Sequence, residues 1–137
     1  MAALLRRLAG LALAFAAGTA PAAAKHAAPH GDAQAGEAIY ARCIACHALA
    51  YDRTGPRHCG LFGRRAGSVK GFPYSAAMRR SNIVWGQKTL DRFLAHPLKA
   101  VPGTAMGYAG ITDPKERADL IAYLEQADAL PECRKGR

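Results

Sequence analysis

Cys43, Cys46 and His47 stand together in the pentapeptide CIACH, the densest cluster of chemistry in the chain. Two cysteines three residues apart, followed at once by histidine, commit this stretch to one of three tasks. It holds a zinc ion, cycles between dithiol and disulfide, or attaches haem covalently. Each task demands different surroundings, so the remainder of the chain has to choose among them.

A redox dithiol of the thioredoxin kind needs a strand–helix–strand unit, and the chain reads as helices and loops without a strand. Asp32 is placed to cap a helix through AQAGEAIYAR that runs directly into CIACH. Residues 54–70 are glycine-rich and irregular, and YSAAMRRS is a short helical stretch. KTLDRFLAH is amphipathic and should stop at Pro97. PGTAMGYAG, with three glycines and a proline, cannot be regular structure. The clearest helix has Asp113 as cap and Pro114 in its first turn, then KERADLIAYLEQA. Leu120, Ile121, Tyr123, Leu124 and Ala127 make its buried side. The expected class is all-α. A structural zinc site needs a fourth soft or nitrogen ligand, and His58 or Cys59 could offer one, so that option stays open.

Haem accounts for more. Cysteines at i and i+3 on a helical turn reach two vinyl groups along one porphyrin edge, and the imidazole at i+4 then lies beneath the iron. C-x-x-C-H is the attachment signature of c-type haem. Long loops among a few helices also form a weak core unless something large and apolar fills the middle. The chain start agrees with this choice. Arg6 and Arg7, an apolar run from Leu8 to Ala17 and a small-residue end PAAA form a secretory signal peptide over 1–24, with cleavage expected after Ala24. The apolar run is shorter than the about 20 residues that span a bilayer, so no stable membrane insertion is expected. Residues 25–31 then form a flexible tail, with His26 and His30 solvated, and 32–137 form the single domain.

Export narrows the partners as well. The chain has 19 basic and 10 acidic residues, a formal charge of +9. Loss of Arg6 and Arg7 leaves +7 on the mature domain. Nucleic acid is a poor partner for an exported protein, and no helix concentrates the charge. Acidic protein surfaces suit it better. Outside the cytoplasm the four cysteines are expected to be paired or ligated.

If haem is present, the sixth iron position decides between electron transfer and small-molecule chemistry. Met1 is lost with the signal, and Met78 sits in a short helix where it fills the core. Met106 lies in PGTAMGYAG, where small neighbours let the backbone approach a flat cofactor. Its thioether stabilises ferrous iron. His96, the competing ligand, stands just before Pro97 and is assigned to its own helix end.

The stretches GEAIYARCIACH, TGPRHCGLFGRRAG, GFPYS, IVWGQKTLDRFL, PGTAMGYAG and ERADLIAYL occur in the order and nearly at the spacing of class I cytochromes c. From about Asp32 to Ala127 the chain resembles that family, in its bacterial cytochrome c2 and mitochondrial form. The resemblance implies a small all-α fold of helices and loops wrapped around one haem c, bound covalently through Cys43 and Cys46. His47 and Met106 become the axial ligands. Gly36 and Tyr40 are expected to meet Leu120 and Tyr123 where the first and last helices cross. The Pro56 carbonyl should accept a hydrogen bond from His47, and Arg64, Tyr74 and Trp85 should hold the propionates. Thr104 steadies the propionates or the methionine loop, and Tyr108 covers the haem edge.

Several residues depart from the family pattern. The loop between His47 and Gly55 is short. Leu98 and Ala105 occupy places where lysines often guide docking, while Arg42, Lys88 and Lys99 remain. Phe93 carries no hydroxyl for the Met106 sulfur, and Met78 replaces a common polar residue. The fold brings its last helix near the Cys59 loop, so a Cys59–Cys133 disulfide is expected, closing a loop of about 73 residues. The implied function is a monomeric, periplasmic single-electron carrier and not an enzyme. It would run from a quinol-oxidising complex or a dehydrogenase to a terminal oxidase or reductase. The alternative is a haem enzyme or a gas or redox sensor with a displaceable Met106.

Overall fold

Asp32 opens the first helix as expected, its carboxylate accepting the Gln34 N–H at 2.9 Å. In the computed structural model residues 31–134 are described. The expected signal peptide and residues 25–30 of the expected tail lie outside the described residues. Helix α1 spans Ala33–Tyr40, α2 Ala76–Arg80, α3 Gln87–Ala95, α4 Pro97–Ala100, α5 Pro114–Gln126 and α6 Pro131–Arg134, with a 3-10 turn at Ala127–Ala129. The only extended pairing among the described residues is a single bridge between Arg65 and Val84. The fold is all-α, and no helix among the described residues is long and apolar enough to cross a membrane.

Helices α1 and α5 cross at a seam made possible by missing side chains. A Cβ at Gly36 would lie 2.0 Å from the Asp119 carbonyl oxygen and 2.8 Å from the Tyr123 Cβ. A second glycine does the same. A Cβ at Gly31 would lie 2.0 Å from the Ala118 carbonyl oxygen, so this residue belongs to the packed domain and not to the tail. The Asp119 carboxylate accepts the Asp32 N–H at 2.6 Å and the Lys115 ammonium at 2.5 Å. These two donors hold its pKa below the ordinary carboxylate range, the backbone N–H contributing most. Leu120 is completely buried in the seam, and Tyr40 packs on Tyr123 with ring centroids 5.2 Å apart.

Pro97 ends α3 and also begins α4, standing at its first position, where a missing N–H costs nothing. The expected stop is therefore a corner between two helices. The His96 carbonyl caps the new one, accepting from Lys99 and Ala100 at 3.1 and 2.9 Å. Its side chain is exposed. Arg117 then ties three segments together. It donates to Asp91 of α3 at 2.7 Å and to the carbonyls of Ile111 and Thr112 at 2.9 and 3.0 Å. After α5, the 3-10 turn and α6 carry Cys133 back to the Cys59 loop. There the two Cα atoms are 5.3 Å apart and the sulfurs meet, inside the usual range for a bridge.

Candidate haem site

CIACH continues α1 as a run of tight turns. The Cys43 carbonyl accepts from both Cys46 and His47, at 3.1 and 2.9 Å, so the five residues form one helical turn. This turn sets Cys43, Cys46 and His47 at the spacing that covalent attachment requires. Cys43 is half-buried, and burial pushes its thiol up to about 11; Cys46 is exposed, and both are free cysteines. Arg42, just before the turn, is held by Glu116 of α5 through two hydrogen bonds of 2.8 Å.

The His47 ring is controlled from several directions. Its Nδ1 lies 2.8 Å from the Pro56 carbonyl oxygen, which makes Nδ1 the donor and leaves Nε2 as the ligating nitrogen. Burial lowers the His47 pKa, opposed by that hydrogen bond. A Cβ on Gly55 would fall 2.3–2.6 Å from three adjacent atoms of this ring, which places the Gly55 backbone against a ring face. The His58 ring stacks on His47 with centroids 4.3 Å apart and planes 22° from parallel. Sequence reasoning weighed His58 only as a zinc ligand and missed this contact.

The zinc option falls with the same geometry. Cys59 meets Cys133, His58 is engaged by Tyr40 at 3.1 Å, and no group of three or more His, Cys, Asp or Glu among the described residues can hold a metal ion.

Across the core, the Arg65–Val84 bridge sets Arg64 beside Trp85. The Arg64 carbonyl accepts the Trp85 N–H at 2.9 Å. The Arg64 guanidinium donates to the carbonyls of Cys59 and Arg57 at 3.0 and 2.8 Å, yet its buried Nε has no partner. Burial lowers its pKa, while Tyr74, Asp52 and Asp128 oppose that shift. A desolvated cation with an orphan donor calls for an anion, a demand that a haem propionate would meet. Tyr74 is its neighbour, with a phenol pushed above its ordinary pKa by burial against the pull of Arg64. The Trp85 side chain is buried and packs on Phe93. Arg64 and Tyr74 are thus neighbours, and the Trp85 backbone is bonded to that of Arg64.

Met106 is half-buried against the same apolar cluster as Cys43, Tyr74 and Trp85. Its loop is pinned at both ends. Thr104, itself buried, receives the Met106 N–H on its hydroxyl at 3.2 Å, and Ile111 donates to the Leu94 carbonyl at 2.9 Å. The Thr104 hydroxyl thus bonds within the methionine loop. Gly110 adopts φ +103°, and a Cβ there would lie 2.1 Å from the Ala95 carbonyl oxygen, so only glycine brings the loop onto α3. Met78 is buried in the core, as its helical position implied. Phe93 packs on Trp85 at 5.1 Å.

Comparison with known proteins agrees with this geometry. The Cytochrome c family model matches residues 33–128. Cytochrome c of Sesamum indicum is 44% identical over 106 residues, covering 74% of this chain and 96% of the relative. Cytochrome c type-1 of Ascaris suum is 41% identical over 110 residues, covering 78% and 94%. Among solved structures, cytochrome cH from Methylobacterium extorquens aligns with a TM-score of 0.69 and 44% identity, over 70% of this chain and 99% of that one. The chain belongs to the cytochrome c family. It is an electron carrier rather than an enzyme, and its cofactor is one c-type haem held covalently through a cysteine pair.

Proposed function

We propose that this protein is an exported, monomeric shuttle that carries one electron at a time between periplasmic redox proteins. Cys43 and Cys46 would hold the haem by thioether bonds, with His47 and Met106 as axial ligands. Bound there, the haem supplies an iron that alternates between ferric and ferrous states. His47 donates its Nδ1 proton to the Pro56 carbonyl, which leaves the Nε2 lone pair free to ligate iron. Arg64, Tyr74 and Trp85 would receive the propionates and keep their charge from destabilising the buried site. Thr104 holds the Met106 backbone, and so would hold the thioether ready as the second ligand.

The observation that carries this reading is the pinning of Met106 at Thr104 and Ile111. A sensor or haem enzyme needs that ligand to leave. Ferric and ferrous spectra of the purified protein test the assignment. A sulfur-to-iron charge-transfer band and no shift under carbon monoxide are expected; a high-spin ferric spectrum would overturn it. Met106→Ala should abolish the band, admit carbon monoxide and lower the potential by a sizeable part of the about 0.8 V that axial ligands command.

Docking would combine weak charge with apolar contact. Lys88 and Lys99 are exposed, but Arg42 is already bonded to Glu116. Leu98 is 55% and Ile44 50% exposed. An acidic partner with an apolar centre fits the exposed Leu98 and Lys99 of α4, with rates less dependent on salt than a lysine ring would give. The oxidising compartment also supports a Cys59–Cys133 bridge. Cys133→Ser should lower stability by about 2–4 kcal/mol in denaturant titrations. Equal stability, or two free thiols on mass mapping of the native protein, would remove the bridge.

A further inference from the structure

His58 has no part in attaching haem, yet it touches the residue that ligates it. Its ring lies 4.3 Å from that of His47, 22° from parallel. On its own Nδ1 it meets the Tyr40 hydroxyl at 3.1 Å. Tyr40 is buried in α1, edge-on to His58 at 5.7 Å, and packs on Tyr123 of α5. The His58 backbone is equally confined. Its N–H reaches the Ala48 and Leu49 carbonyls at 3.1 and 3.0 Å, and the following Cys59 N–H donates to Leu49 at 2.8 Å.

The His47–Pro56 hydrogen bond fixes one atom of the axial ring. With the covalent link at Cβ it sets the approximate ring plane, and the Gly55 backbone lies against a ring face. A flat neighbour held in its own orientation adds a further constraint on that plane. We propose that His58 is a positioning residue that sets the plane of the His47 imidazole, with Tyr40 holding His58 in place. The tilt of the axial ligand is thereby referred back to the α1–α5 seam through Tyr123, Tyr40 and His58 in turn. The inference rests on His47 being the axial ligand, as proposed above.

The test uses the haem-loaded full protein and its variants Tyr40→Phe, His58→Leu and His58→Phe. In a low-spin ferric haem the pattern of paramagnetically shifted haem-methyl proton resonances depends on the direction of the axial imidazole plane. A merely structural role would not move it. His58→Leu should keep the low-spin state but change the order or spread of those resonances. His58→Phe, which restores a flat ring, should return the pattern toward the parent. Tyr40→Phe should shift it in the same sense as His58→Leu, by less, and it decides the matter if His58→Leu does not fold. An unchanged methyl pattern in His58→Leu or, failing that, in Tyr40→Phe overturns the proposal, whatever happens to the melting temperature. A parent protein without a low-spin histidine-ligated spectrum would instead overturn the haem assignment, and this inference with it.

Discussion

Gly36→Ala is expected to destabilise the protein by about 3 kcal/mol or more, although alanine is the better helix former. Two effects oppose each other. Inside α1 the substitution gains about 1 kcal/mol of helix propensity. Against that, the new Cβ would stand 2.0 Å from the Asp119 carbonyl oxygen, which is backbone and cannot swing aside. Ordinary contact lies near 3.5 Å, so the two helices must part by more than about 1 Å. Parting them also stretches the 2.6 Å bond from the Asp32 N–H to Asp119 and separates Tyr40 from Tyr123. A loss of this size is a large share of the about 5–15 kcal/mol that holds a domain together. Denaturant unfolding beside the exposed control Glu37→Ala measures it. Stability at or above the parent's would show that the seam has slack.

Gly55→Ala should strike the site and leave the fold. Its Cβ would fall 2.3 Å from Cε1 and 2.5 Å from Nε2 of His47. Neither side yields easily. The Gly55 N–H donates to the Cys46 carbonyl at 2.7 Å, and its carbonyl accepts from Arg53 at 2.9 Å. The His47 ring is bonded to Pro56 and stacked on His58. Gly55 is not in the left-handed region, so space and not backbone conformation demands glycine. The ring must turn, breaking the bond to Pro56. Loss of such a supporting contact typically weakens ligation about 10- to 100-fold. The ferric spectrum should move toward high spin, with a lowered melting temperature as a secondary effect. A parent-like spectrum would show that His47 has room to retreat.

How much of this was legible in the sequence depended on how local its cause was. CIACH is a single turn whose chemistry lies within five residues, so the motif narrowed the task to three, and the missing strands, the chain start and Met106 chose haem. Asp32 and Asp113 marked helix starts because a cap acts on the next two or three N–H groups. Gly36 came from the family resemblance, which implied the crossing that requires it. Gly31 was read as tail because nothing beside it in sequence shows that Ala118 waits 87 residues away. Pro97 was read as a stop, although the residue that ends one helix is equally suited to begin another. The Tyr40–His58–His47 stack joins three segments of chain, and no periodicity or motif announces such a meeting.

The seam between α1 and α5 also dictates an order of assembly. Asp32 and Asp119 are 87 residues apart, so nearly the whole domain must be synthesised before their contact can form. Until then the CIACH turn has no opposing helix, and Arg42 has no Glu116. A chain in that open state therefore offers both thiols of the turn without the α5 helix across from them. The glycine seam ties the two ends of the domain together over the CIACH turn.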